Sequence, residues 1–154
     1  MKIADILKPE CIIPDLDGKT KKDILGQLAR PISESYKVDL DEMVSALLSR
    51  EKLGSTGIGD GVAIPHAKVN GLSSIAASVG ISREGLKFDA LDGKPCHIFF
   101  LLMAPANTSS GHLKALARVS MLLKNPDTRN RLIAARDAKD LYAAIMEQDS
   151  KLPL

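Results

Sequence analysis

Cys96 to Ala104 constrains the fold more than any other stretch. It reads C-H-I-F-F-L-L-M-A. Side chains alternate faces along a strand. Phe99, Leu101 and Met103 therefore look one way, and Ile98, Phe100 and Leu102 the other. A strand that is apolar on both faces is covered on both faces, so helices must lie on each side of its sheet. Ile75 to Ser82 reads as a second strand, with Ile75, Ala77, Val79 and Ile81 sharing a face. The 154 residues suit one domain with a sizeable core and leave no room for a second of ordinary size. Aromatic residues are 3% and Trp is absent, so the core must be aliphatic. The expectation is an α/β fold: a single domain over 1–154 with a mixed sheet of about five strands and helices on both faces.

The helix signals fit that layering. Ile3 to Leu7 reads as a short helix or turn, and Cys11–Ile13 as a strand ended by Pro14. Thr20 with Asp23, and Asp39 with Glu42, have the spacing of helix-starting caps. Ile24, Leu25, Leu28, Ala29 and Ile32 then recur at helical spacing, as do Leu40, Met43, Val44, Leu47 and Leu48. The first helix is expected to run to about Ser35, through Pro31. The second ends near Arg50 or Leu53. Beyond the central strand, Asn107 to Gly111 reads as a polar loop. The next helix carries His112, Leu113, Leu116, Ala117, Ser120 and Leu123. A short helix follows Asn125-Pro126-Asp127, and Asp137 caps a last one that turns Leu141, Ala144 and Ile145 inward. Lys151 to Leu154 reads as a loose end.

Charge and targeting signals exclude several classes. The balance of 21 basic against 19 acidic residues argues against a nucleic-acid protein. The first eight residues hold no signal-peptide core, and the longest apolar run, Ile98 to Ala104, falls far short of the roughly 20 residues that span a bilayer. A cytoplasmic protein with no membrane insertion is expected. Cys11 and Cys96 form no Cys-x-x-Cys pair and read as reduced core residues.

Candidate chemistry gathers in Arg50 to His66, R-E-K-L-G-S-T-G-I-G-D-G-V-A-I-P-H. Gly54, Gly57, Gly59 and Gly61 point to an irregular loop. Val62-Ala63-Ile64 follows as a short strand that Pro65 ends. His66 then stands just past a buried strand, where Ser55, Thr56 and loop N–H groups are placed to meet an anion. The small or apolar Val62, Ala63, Ile64, Pro65 and Ala67 are expected to form a docking rim around it. No Lys-Ser/Thr completes a Walker A loop. The glycines precede a strand instead of opening a helix, so a dinucleotide fingerprint fails too. Of the other histidines, His97 reads as a hydrogen-bonded residue at a strand end. His112 is ambiguous from the residues alone, and Arg50 suits the end of a helix dipole.

R-E-K-L-G-S-T-G-I-G-D-G-V-A-I-P-H-A-K closely resembles the active-site segment of fructose/mannitol-type EIIA domains of the bacterial phosphoenolpyruvate-dependent phosphotransferase system. G-S-T-G-I-G and A-I-P-H-A-K look most like the nitrogen-related regulatory branch. The likeness extends over nearly the whole chain. It implies a phosphotransferase component in which His66 accepts a phosphoryl group through Nε2 from a phosphorylated HPr-type carrier, with His112 and Arg50 beside it. It also implies a regulatory role in nitrogen, carbon or potassium metabolism, and neither cofactor nor metal. Asp60 matches a position that is acidic in some members, which fixes no role for it. The alternatives are a sugar-uptake relay that passes phosphate to an EIIB domain, and a regulatory binding protein that transfers nothing. A metal-dependent hydrolase is disfavoured, because no H-x-x-x-H or H-E-x-x-H spacing places two ligands on one helix face.

Overall fold

The computed structural model describes residues 1–108 and 110–153. Its sheet is built around β6 (Cys96–Pro105), whose residues from Ile98 to Ala104 are completely buried. Antiparallel β5 (Ala76–Leu86) lies on one side of it, from Ala76 opposite Met103 to Ile81 opposite Ile98. On the other side run two short parallel strands, β3 (Val62–Ala63) and β4 (His66–Val69). β1 (Leu7–Ile13) pairs parallel to β5, and β2 (Gly57–Gly59) pairs antiparallel to β3. The order is β1-β5-β6-β3-β2, with β4 beside β6. This is the expected mixed sheet, with six strands among the described residues. Pro9 falls within β1, where an edge strand tolerates the missing N–H.

Among the described residues, five α-helices flank the sheet. α1 (Lys21–Tyr36) begins where the Thr20 hydroxyl accepts the Asp23 N–H at 3.1 Å. It continues through Pro31 and stops at Lys37, whose φ of 58° is left-handed. α2 (Leu40–Lys52) begins where Asp39 accepts the Glu42 N–H at 2.9 Å. α3 (Ser110–Lys124), α4 (Pro126–Ile133) and α5 (Ala138–Ser150) follow, the last capped by Asp137 at 2.7 Å from the Asp140 nitrogen. α1 and α2 pack on each other and on β1, β5 and β4. α3, α4 and α5 form the second layer against β6, β5 and β1. The core is aliphatic apart from three phenylalanines, with Phe88 edge-on to Phe99 at 5.4 Å between centroids.

Four expectations are corrected. The glycine stretch is not wholly irregular: Gly57–Gly59 is a strand, joined to β3 through Asp60 and Gly61. Both turn residues have positive φ, 57° and 75°, as the primed two-residue hairpin turn demands. A side chain on Gly57 would lie 2.9 Å from the Ala90 backbone, so close approach explains that glycine. Ser110 and Gly111 belong to α3 and not to a loop; Ser109 of that expected loop lies outside the described residues. The buried face of α3 is Ala115, Arg118, Val119, Leu122 and Leu123, while Leu113 is 66% exposed. A buried ion pair sets that face. Arg118 Nε donates to Asp149 Oδ1 at 2.8 Å, and Asp149 Oδ2 accepts the Ile3 N–H at 2.9 Å. Arg118 also holds the Pro153 carbonyl, so the tail is tied down through Pro153, and Leu154 lies outside the described residues.

Candidate functional site

β3 and β4 form a single line along β6, interrupted at Ile64-Pro65 without a change of register. Val62 and Ala63 face Ile98 and Phe99, and His66 to Val69 face Leu102 to Pro105. Proline has no N–H for the ladder, but the Pro65 carbonyl accepts the Leu102 N–H at 2.9 Å, which carries the pairing across the gap. His66 thus opens a strand in addition to following one. Its Nδ1 lies 2.8 Å from the Ile64 carbonyl oxygen. A carbonyl only accepts, so Nδ1 carries the proton and Nε2 of the neutral ring keeps its lone pair.

His112, in the first turn of α3, sits beside it. The two ring centroids are 5.2 Å apart and the planes are tilted by 55°. The His112 Nδ1 is buried and meets no hydrogen-bond partner among the described residues. Arg50, in the last turn of α2, donates from Nη1 to the Gly54 carbonyl at 2.8 Å. Burial holds the His66 imidazole below the ordinary histidine range. The Arg50 charge adds to this, while the bond to Ile64 and the Glu51 charge oppose it. Burial also lowers His112, helped by the charges of His66 and Lys68. Both rings favour the neutral form.

The hydroxyls of the glycine segment are taken up by protein groups. Ser55 donates to the Phe88 carbonyl and accepts the Gly57 N–H at 3.0 Å. Thr56 gives its hydroxyl and its N–H, the latter at 3.2 Å, to the Glu51 carboxylate. Glu51 and Thr56 are 7% and 4% exposed. The Lys21 ammonium lies 3.6 Å from Glu51 and 3.0 Å from Asp89. Nothing in the sequence singles out Glu51, because a glutamate in the last turn of a helix reads as solvated. Asp60 is a turn residue whose N–H donates to Asp92 at 3.1 Å. His97 is the hydrogen-bonded residue expected, with Nδ1 2.9 Å from the Ser82 carbonyl. Cys11 and Cys96 are buried free thiols, and burial pushes Cys96 up to about 11.

The expected docking rim is also corrected. Val62, Ala63, Ile64, Pro65 and Ala67 are all buried, because they form the line along β6. Exposed apolar side chains on the site's elements or next to them in the chain include Leu53, Ile58, Leu113 and Met121.

Residues 5–148 match the family model described as "Phosphoenolpyruvate-dependent sugar phosphotransferase system, EIIA 2". The chain belongs to this EIIA family. A nitrogen regulatory protein of Bradyrhizobium diazoefficiens is 39% identical over 145 residues, covering 94% of this chain and 95% of that protein. The fructose-specific EIIABC component of Bacillus subtilis is 34% identical over 152 residues, 98% of this chain but 24% of that larger protein. Among solved structures, nitrogen regulatory protein IIA-Ntr from Neisseria meningitidis superposes with a TM-score of 0.86 at 31% identity, covering 93% of this chain and 98% of that one. The EIIA fold is therefore the fold of this chain, and a phosphotransfer or regulatory role within the phosphotransferase system is the role its relatives support. No helix among the described residues is long and apolar enough to cross a membrane.

Proposed function

We propose that this EIIA domain, acting as one unit over 1–154, accepts a phosphoryl group on His66 Nε2 from a phosphorylated HPr-type carrier. The observation that carries this reading is the His66 Nδ1–H donated to the Ile64 carbonyl, which leaves Nε2 as the nucleophile. Nε2 forms the bond to phosphorus as the carrier's bond to phosphorus breaks, and the carrier leaves with that electron pair. Positive charge developing on the ring is met by the carbonyl at Nδ1. Phosphoryl transfer needs little from a protein beyond alignment and charge stabilisation. Arg50 and His112 supply the second.

The role of the phosphoryl group is regulatory. The similarity to nitrogen regulatory proteins along almost their full length supports this, and control of nitrogen, carbon or potassium metabolism is the corresponding setting. A phosphoryl group adds roughly −1.5 to −2 charges, which changes what can dock over His66. A second reading, a relay that passes the phosphoryl group to an EIIB domain for sugar uptake, is favoured by the match to the fructose EIIABC component. Incubation with Enzyme I, an HPr-type carrier and phosphoenolpyruvate tests the acceptor reading. Intact mass should show one phosphoryl group on the wild type and none on a folded His66→Ala variant. Adding an EIIB domain then separates relay from switch: rapid loss of the group to EIIB supports the relay.

A further inference from the structure

The ring of His66 is held by the Ile64 carbonyl, and Ile64 is itself held. Its N–H donates to the Thr56 carbonyl at 3.0 Å. That bond is the next rung of the hairpin beyond Gly57–Ala63, and the last before Pro65 interrupts the ladder. The chain before Thr56 is tied at Gly54, whose carbonyl takes Arg50, and at Ser55, which donates to the Phe88 carbonyl. Thr56 itself is held by Glu51. The carboxylate takes the Thr56 N–H and hydroxyl together, from the rigid end of α2. Lys21, at the start of α1, balances the buried charge and links it to Asp89. Burying a carboxylate is costly even when it is paired, and apolar residues of similar volume often serve stability as well. A carboxylate kept at 7% exposure one residue from Arg50 therefore calls for a reason in the site it adjoins.

We infer that Glu51 is a positioning residue for His66. Through Thr56 and Ile64 it fixes the imidazole in its Nδ1–H tautomer and aims Nε2 at the incoming phosphoryl group. Arg50 and Glu51, neighbours in one helical turn, divide the work. Arg50 faces the glycine loop with its charge, and Glu51 reaches inward to hold the backbone that holds the nucleophile. The inference rests on His66 being the phosphoryl acceptor.

The test uses the full chain carrying Glu51→Gln, Thr56→Val or Thr56→Ser. Glutamine keeps the shape of Glu51 but has one acceptor oxygen for two Thr56 donors. Valine removes only the hydroxyl, and serine restores it. Two quantities are read at a temperature where circular dichroism shows each variant folded. One is the His66 tautomer in unphosphorylated protein, by 15N NMR of the imidazole nitrogens. The other is the single-turnover transfer rate from a phosphorylated HPr-type carrier. Glu51→Gln and Thr56→Val should mix the two His66 tautomers and slow transfer about tenfold to a hundredfold, the scale that small misplacements cost. Thr56→Ser should stay near wild type in both. Folded Glu51→Gln and Thr56→Val proteins that keep a pure Nδ1–H tautomer and the wild-type rate would overturn the inference. If Glu51→Gln does not fold, the Thr56→Val and Thr56→Ser pair decides. If the wild type takes no phosphoryl group, the acceptor reading fails, and the tautomer comparison still judges the positioning network.

Discussion

His66 donates its Nδ1–H to the carbonyl of Ile64, two residues back along its own chain, at 2.8 Å. The tautomer of the ring is therefore set by the backbone immediately before it. On the proposed reading the two ring nitrogens have different tasks, orientation for Nδ1 and chemistry for Nε2. His112 and Arg50 come from two other elements, so the candidate site assembles only when α2 and α3 are packed against the sheet that contains β4.

Arg50→Ala and His112→Ala should each slow phosphoryl transfer without removing the acceptor. Loss of one electrostatic stabiliser typically costs on the order of a hundredfold in rate. Arg50→Lys should recover only part, since an ammonium cannot hold two phosphoryl oxygens as a guanidinium fork does. Single-turnover rates from a phosphorylated carrier check both points, and wild-type rates in both alanine variants would return these residues to a structural role.

Stability should fall as the solution is acidified through the histidine range. Both His66 and His112 are held below their ordinary range, chiefly by burial. The unfolded chain therefore takes up protons first as pH drops. The stability gained from burying neutral rings is complete above about pH 6.5 and is lost as pH falls from there through the folded-state values. Urea midpoints measured across this window should decline in the wild type and decline less in His112→Gln.

The Arg118–Asp149 pair should matter to stability more than any surface ion pair. Its side chains are 7% and 5% exposed, and Asp149 also holds the Ile3 N–H. Removing one partner of such a pair strands the other, at about 3–5 kcal/mol. Asp149→Ala should show that loss in urea unfolding, while Lys19→Ala, which breaks an exposed pair with Glu84, should change stability by less than about 1 kcal/mol.

A regulatory target that covers His66 should prefer the unphosphorylated protein. The exposed side chains near the site include the apolar Leu53, Ile58 and Leu113, and a doubly negative group placed in such an interface needs a partner or must be desolvated. Dissociation constants for one target, measured with unmodified and fully phosphorylated protein, should differ at least tenfold in that direction. Equal values would place the target elsewhere on the surface.

The sequence reveals those features whose cause is local. Thr20, Asp39 and Asp137 cap helices by reaching backbone groups three residues away, so short spacings expose them. Cys96 to Ala104 announces its two-sided burial through its own alternation. The features that escape depend on partners far along the chain. Arg118 turns inward because Asp149 waits there, which rotates the buried face of α3 and leaves Leu113 in solvent. Val62 to Pro65 and Ala67 read as a rim but are core, because β6 runs beside them. Glycines conceal strand β2, although Asp60-Gly61 is a strong hairpin-turn pair. Within the candidate site, Arg50, His66 and His112 are singled out through family resemblance. Glu51 is visible only once Thr56 is seen folded against it.

The most direct test of the central claim is to identify the phosphorylated nitrogen. Protein labelled with 15N at histidine, phosphorylated through an HPr-type carrier and examined by long-range 1H–15N and 31P NMR, reports both the residue and the ring position. The account predicts a single acid-labile phosphoryl group on His66 Nε2, with Nδ1 still protonated against the Ile64 carbonyl. A phosphoryl group on His66 Nδ1, on His97 or His112, or an acid-stable one on Ser55 or Thr56, would contradict it.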